Sequence, residues 1–296
     1  MRSRAEPVST ATYLQGESIR VDARTGDLLW VDMRLGTFHA GAFDGTVLTE
    51  TFTADLGPRI GVGAPMVDDG AGWAVAGGQS LWHVTPDGVR SEWVRGLGDG
   101  EGRFLNDGVC APDGAFWVGT QSAPREPTSA LYRIGPDLAV TTALTDVTVS
   151  NGIGFSPDGR TLYYIDTLPH RRLEAFDVDG DRLSGRRTVA TLTGGNPDGL
   201  VVDDEGCVWV AMWDAAEVRR ISPDGELIAV VETGVPRPSA VTIADGILFI
   251  TTAQVGLDPV PPGSGRILAA EVGVSAPPAA PFRAQPPRSA DHHTER

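Results

Sequence analysis

The sequence predicts an all-β fold, a six-bladed β-propeller with four antiparallel strands in each blade. Three observations predict it: one strand-turn-strand pattern occurs six times, the occurrences are evenly spaced, and no segment has a sustained helical period of apolar residues. The glycines that mark the turns are separated by 46, 42, 45, 47 and 40 residues, which is the repeat length of a propeller blade. These glycines are Gly26, Gly72, Gly114, Gly159, Gly206 and Gly246.

Each unit begins with a short apolar strand, turns at Asp and Gly, and continues into a second strand rich in Trp, Tyr, Val and Ile. Examples are Val109–Thr120 (VCAPDGAFWVGT) and Leu200–Met212 (LVVDDEGCVWVAM). A third strand and another turn follow, as in Phe176–Leu183 (FDVDGDRL), which makes four strands per unit. A radial arrangement lets each small sheet pack on its neighbours, whereas a β-sandwich gives no reason for one four-strand unit to repeat.

Length and composition are consistent with one large domain. The chain has 296 residues, of which 41% are hydrophobic, enough to bury a substantial core. From about Ser275 the chain becomes rich in Pro and Ala, and we place the propeller in residues 1–283 and a disordered tail in residues 284–296. Cys110 and Cys207 each lie in a strand-like apolar run, so we expect two small core residues and no disulfide framework.

The charge of the chain limits its partners. A net charge of −15 repels nucleic acid and anionic membranes and attracts cations, although acidic surfaces also serve solubility alone. No secretory signal and no apolar stretch long enough for a membrane helix is found. We therefore expect a cytoplasmic monomer or weak homo-oligomer that contacts neither nucleic acid nor membrane.

Polar residues recur where the first strand of each unit opens. In a propeller this strand lines the central channel, so its first residue faces the mouth of the channel. The residues in this register are Glu17, Gly63, Asn106, Asn151, Asp198 and Ser239. Carboxylate and carboxamide oxygens that converge from four blades suit a hard divalent cation. At any single position Asn or Asp before Gly is also ordinary turn chemistry, but Glu17 has no such local reason.

Four stretches around these residues resemble a known family. They are Gly16-Glu17-Ser18 ahead of LLWVDM, RFLNDG at Arg103–Gly108, SNGIGFSPDGRTLYYIDT from Ser150, and NPDGLVVDDEGCVWVAMW from Asn196. Together they resemble the senescence-marker-protein (regucalcin), gluconolactonase and luciferin-regenerating-enzyme-like family of metal-dependent lactonases. The resemblance runs from about Glu17 to Phe282.

The resemblance implies a ligand set and an acid–base residue. Glu17, Asn151 and Asp198 would bind one divalent cation, with Ca²⁺ as first choice and Zn²⁺, Mn²⁺ or Mg²⁺ as alternatives. Asp198 would also be catalytic, as the residue that shuttles a proton.

The substrate-binding residues would be Arg103, Asn106, Asp107 and Gln121, and we expect further specificity contacts from Arg125, Glu126 and His170. Two residues, Phe104 and Leu105, separate Arg103 from Asn106 where the family has one, and the extra residue can aim Arg103 elsewhere.

These observations predict a metal-dependent hydrolase that opens a lactone by attack of water, with a small lactone as its partner. One alternative is another metal-dependent esterase or phosphoesterase on the same propeller, because a fold hosts several chemistries. A second alternative is a calcium-binding propeller without catalytic activity.

Overall fold

The computed structural model describes residues 2–57, 59–67, 72–100 and 102–284, so the predicted tail of residues 284–296 lies outside the described residues except for Ala284. Six sheets, each built on four antiparallel strands, form a ring, and the predicted six-bladed β-propeller is confirmed. Within the described residues no long apolar helix of the kind that crosses a membrane is present.

The first three blades follow one another along the chain. Blade 1 contains β3 (Gly16–Val21), β4 (Leu28–Asp32), β5 (Thr37–Phe43) and β6 (Leu48–Asp55). Blade 2 contains β7 (Ile60–Pro65), β8 (Trp73–Gly77), β9 (Ser80–Val84) and β10 (Arg90–Arg95). Blade 3 contains β11 (Arg103–Cys110), β12 (Phe116–Ser122), β13 (Ser129–Ile134) and β14 (Val140–Val147).

The last three blades continue the series, and the chain begins with β1 (Arg2–Arg4) and β2 (Glu6–Pro7). Blade 4 contains β15 (Ser150–Phe155), β16 (Thr161–Asp166), β17 (Arg172–Asp179) and β18 (Arg182–Thr191). Blade 5 contains β19 (Asn196–Val202), β20 (Val208–Trp213), β21 (Glu217–Ile221) and β22 (Leu227–Glu232). Blade 6 contains β23 (Pro238–Ala244), β24 (Ile247–Thr252) and β25 (Leu268–Glu271).

The N-terminal strands complete the ring. Strand β2 pairs antiparallel with β25, with Glu6 opposite Ala269, and supplies the outermost strand of blade 6. Strand β1 pairs in parallel with β22 and adds a fifth strand to blade 5. Because residues from the start of the chain hold the last two blades, the ring is closed by backbone hydrogen bonds between distant segments.

Separate apolar cores lie between neighbouring blades. Between blades 1 and 2, for example, Phe38 and Val31 pack against Ile60 and Val75, all fully buried. A matching core joins blade 6 to blade 1, so no gap remains in the ring. Cys110 belongs to the core between blades 2 and 3, and both cysteines are buried and free, as expected.

The innermost strands all bulge near their openings. In blades 3, 4 and 5 the pairing skips two residues, Asn106–Asp107, Asn151–Gly152 and Asp198–Gly199. A bulge bends the strand and re-aims its side chains, so these polar residues turn toward the channel. In blade 2 the skipped residue is Gly61 instead of Gly63, and a Cβ atom at this position would lie 2.2 Å from the Asn106 carbonyl oxygen, so only glycine fits there.

The Pro- and Ala-rich stretch that follows β25 packs across one end of the channel, opposite to the end at which the inner strands begin. Within residues 275–284, Ala279 forms a β-bridge with Asp22 and Phe282 forms one with Met66. Phe282 is fully buried and lies 5.7 Å from the ring of Phe116, because it fills the gap between blades 2 and 3. This segment covers the end of the channel that lies away from the candidate site.

Candidate active site

The four polar residues predicted to meet at the channel mouth line a single cavity. Glu17 on β3, Asn106 on β11, Asn151 on β15 and Asp198 on β19 all contribute to a cavity of about 520 Å³. Each of them is at most 8% exposed. Four different blades therefore contribute oxygen-bearing side chains to one cavity.

Glu17 and Asp198 are buried carboxylates without a cationic partner among the described residues. Burial is the main reason why the pKa of Glu17 is raised from 4.5 to about 8; a hydrogen bond from Gln15 opposes the shift, and the charge of Asp107 adds to it. Burial and the nearby charge of Glu17 likewise raise the pKa of Asp198 well above its ordinary value. Two buried carboxylates that repel each other are costly unless a cation lies between them.

A directed chain of hydrogen bonds orients the carboxamides. Asn106 donates from Nδ2 to the Ser150 carbonyl oxygen at 2.7 Å, and a carbonyl oxygen can only accept, so this end of Asn106 is the amide nitrogen. The same nitrogen donates to Oδ1 of Asn151 at 2.6 Å, and Gln121 donates to Oδ1 of Asn106 at 2.6 Å.

Thr167 orients Asn151 at the other end of this series of hydrogen bonds. Its hydroxyl donates to the Pro197 carbonyl oxygen at 2.8 Å, so it must accept from Nδ2 of Asn151, which lies 2.7 Å away. The oxygen of Asn151 is therefore the atom turned away from Thr167, on the side of Asn106. The network leaves one lone pair of this oxygen for a further partner.

The donor set fits a hard divalent cation. Among the described residues no group of three or more His, Cys, Asp and Glu side chains could hold a metal ion. A cation at this point would therefore need the carboxamide oxygen of Asn151 beside the carboxylates of Glu17 and Asp198. Oxygen donors of this kind are the ligands that Ca²⁺ and Mg²⁺ take in proteins, and two carboxylates balance a double positive charge.

The predicted substrate-binding residues divide into two groups. Gln121 and Arg125 line the cavity with Asn106, whereas Arg103, Asp107, Glu126 and His170 do not. Arg103 donates instead to the Asp99 carbonyl oxygen at 2.8 Å, on the exposed side. Because side chains alternate along a strand, the extra residue ahead of Asn106 places Phe104 on the cavity side and turns Arg103 away.

Asp107 faces a second cavity, deeper in the channel, of about 280 Å³. It lies 3.3 Å from Nη2 of Arg20, and both side chains are largely buried. The charge of Asp107 nonetheless raises the pKa of Glu17 and of Asp198. Asp107 thus acts on the site through its charge and lies apart from the cavity that Asn106 lines.

Several cavity residues were not predicted from the sequence. Gln15 donates to Oε1 of Glu17 at 3.0 Å and accepts from Nε of Arg34 at 2.9 Å. Arg59 lies two residues before the bulge of blade 2, as Phe104 does in blade 3, but the position of that bulge at Gly61 keeps Arg59 out of the register counted from the sequence. The position of Thr167, after the second strand of blade 4, carries no comparable signal.

A six-bladed propeller that gathers buried oxygen donors at one end of its channel is the class of protein that this fold and site define. The chain belongs to the family described as SMP-30/gluconolactonase/LRE-like region, whose model matches residues 15–254. The resemblance read from the four sequence stretches is therefore confirmed.

Relatives and solved structures agree with this membership. The chain is 37% identical to the L-arabinolactonase of Azospirillum brasilense over 160 residues, 52% of this chain and 53% of that protein. It is 32% identical to the 6-deoxy-6-sulfogluconolactonase of Pseudomonas putida over 238 residues, 77% of this chain and 79% of that protein. The calcium-binding protein regucalcin from Agrobacterium tumefaciens superposes with a TM-score of 0.85 at 25% identity, covering 96% of this chain and 98% of that chain.

Proposed function

We propose that this protein hydrolyses a lactone with the help of one divalent cation held by Glu17, Asn151 and Asp198. The observation that carries the proposal is a pair of buried carboxylates that lack a cationic partner among the described residues and lie beside an oriented carboxamide oxygen in one cavity. Two relatives in the family carry lactonase names, which supports a cyclic ester as substrate. Ca²⁺ is the first candidate for the ion, because all the donors are oxygens.

When bound, the cation supplies an electrophile that polarises the lactone carbonyl and stabilises the negative charge that develops on its oxygen. Asp198 accepts a proton from the water molecule that attacks the carbonyl carbon. The bond between the carbonyl carbon and the ring oxygen then breaks, and Asp198 returns the proton to that oxygen. The product is the open-chain hydroxy acid.

Asn106 and Gln121 have a positioning role in this scheme. Gln121 donates to Asn106, and Asn106 donates to Asn151, so that their relative orientation is set before substrate enters. Preorganised polar groups lower the barrier because they need no rearrangement during the reaction.

The direct test is hydrolysis of a panel of γ- and δ-lactones, with aryl esters and phosphoesters beside them, before and after removal of divalent cations by EDTA. We expect turnover of at least one lactone, loss of that turnover in EDTA, and recovery on addition of Ca²⁺ or another divalent cation. Turnover that is insensitive to EDTA, or activity on phosphoesters alone, would contradict the proposal. Tight cation binding with no turnover of any ester would favour the calcium-binding alternative.

Thr167→Val tests the orientation of the carboxamide. The variant loses the hydroxyl that fixes Asn151, so we expect the Kd for Ca²⁺ to rise about tenfold or more, as when an outer hydrogen-bond partner of a metal ligand is removed. Thr233→Val is a matched control, since it removes a buried hydrogen bond to the Val235 carbonyl oxygen outside the cavity. Calorimetric titration gives both affinities, and an unchanged Kd in Thr167→Val would refute the orienting role.

A further inference from the structure

The cavity that holds the candidate ligands is bordered by an excess of positive charge. Among the described residues its lining includes the arginines Arg34, Arg59, Arg125 and Arg237, although the whole chain has a net charge of −15. Of these four arginines, Arg237 alone has a carboxylate partner within the described part of the chain, Asp214 at 2.7 Å. The other cavity carboxylates, Glu17 and Asp198, would be neutralised by the proposed divalent cation. Arg34, Arg59 and Arg125 therefore have no carboxylate counter-charge among the residues that the structure describes.

Arg59 is held in place at a cost in backbone strain. Its φ is +69°, in the left-handed region that residues other than glycine rarely adopt, and its N–H donates to the Met33 carbonyl oxygen at 2.9 Å. Its guanidinium lies 4.3 Å from the centre of the Phe104 ring. An aromatic face orients a guanidinium without neutralising it, so its N–H groups remain able to donate to another group.

Arg34 lies in the same sector of the cavity. The hydrogen bond from Arg59 to Met33 brings the chain around Arg59 next to Arg34. Nε of Arg34 donates to Gln15, and Gln15 donates to Glu17, so that a single side chain separates this arginine from a proposed cation ligand. A molecule whose carbonyl reaches the cation can therefore extend toward both arginines.

We infer that the lactone taken by this site carries a second, anionic group, a carboxylate, sulfonate or phosphate, that binds Arg59 and Arg34. This inference rests on the proposed function and adds the class of substrate. Guanidinium groups match the geometry of such oxyanions and bind them through paired N–H donors. A neutral substrate would leave the guanidinium groups of Arg59 and Arg34 without an anionic partner in the cavity of an otherwise acidic protein.

The experiment compares δ-lactones of one sugar ring that differ only at the exocyclic carbon, as alcohol, carboxylate, sulfonate or phosphate. We expect kcat/KM to favour at least one anionic lactone over the neutral one by about tenfold or more. Raising NaCl from about 20 mM to about 300 mM is expected to reduce this preference, because salt screens exposed charges. In Arg59→Gln the ratio of the two kcat/KM values should fall about tenfold, chiefly through KM.

Arg182→Gln is the matched control, since it removes one positive charge from an exposed arginine on β18, outside the cavity. It should leave the ratio unchanged. Equal kcat/KM for neutral and anionic lactones, or a preference that survives Arg59→Gln, overturns the inference while leaving the lactonase proposal intact.

A binding measurement separates the two proposals if no lactone is hydrolysed. Calorimetry with Ca²⁺-loaded protein compares the open-chain acids of the same four lactones. Tighter binding of an acid with the second anionic group, lost in Arg59→Gln and retained in Arg182→Gln, supports the anion site without turnover. Equal binding of all four acids overturns it.

Discussion

Replacement of Asp198 by asparagine is expected to lower kcat for lactone hydrolysis by about 10³-fold or more while the propeller remains folded. The substitution keeps the shape of the side chain and removes both the negative charge and the base. Because Asp198 is repelled by Glu17 and Asp107, its loss should also raise the Tm of the metal-free protein at about pH 8. Steady-state kinetics and thermal unfolding measure the two effects.

Asp203 provides the contrasting control in the same blade. It is fully buried, but its carboxylate accepts from Nε1 of Trp209 at 2.9 Å and from Nε of Arg220 at 2.8 Å. Asp203→Asn weakens these bonds and should lower the free energy of unfolding by about 1–3 kcal/mol, while kcat stays within about twofold of the wild type. If Asp198→Asn also lost stability and kept its activity, Asp198 would be a structural residue like Asp203.

The affinity for Ca²⁺ is expected to fall about 100-fold between pH 8 and pH 6. Burial raises the pKa of Glu17 to about 8 in the metal-free protein, so below that pH a proton occupies the carboxylate that the cation requires. Each pH unit below the pKa then costs about one factor of ten for this carboxyl group. The raised pKa of Asp198 acts in the same direction. Calorimetric titration with Ca²⁺ between pH 6 and pH 8 measures the slope.

The stability of the metal-free protein should fall as the pH rises, whereas the affinity for Ca²⁺ should increase. Glu17 has a pKa of 4.5 when unfolded and about 8 when folded, so between these values the native state holds a proton that the unfolded state has released. Its contribution to stability is complete below pH 4.5 and is lost as the pH rises through 8. Glu17→Gln should flatten both pH dependences. Equal pH slopes in wild type and Glu17→Gln would show that Glu17 does not compete for protons with the cation.

The blade repeat could be predicted from the sequence because each unit carries its own local signals. Turns of the kind that contain Gly114 and Gly206 need a left-handed backbone, with φ of +87° and +80°, and glycine provides it at constant spacing. Strands rich in β-branched and aromatic residues follow each turn. The site register could be predicted for the same reason, since the bulge recurs at nearly the same place in every inner strand.

The closure of the ring could not be predicted in this way. The outermost strand of blade 6 is Glu6–Pro7, a two-residue segment without any periodic pattern, and it pairs with a strand more than 250 residues away in the chain. The packing of Phe282 between blades 2 and 3 could not be predicted either, because its neighbours in the sequence are rich in Pro and Ala. Such contacts depend on the shape of the completed ring.

By itself the sequence determined the six-bladed propeller and the polar residues that open its inner strands, because both depend on short segments that recur along the chain. Only the tertiary structure decided which side chains share the cavity. It placed Arg59 over Phe104 on the cavity side and turned Arg103 away, and it directed Asp107 to the deeper part of the channel. The physical reason is that a single extra residue or a bulge reverses the face to which a strand side chain points, and each cavity residue comes from a separate blade.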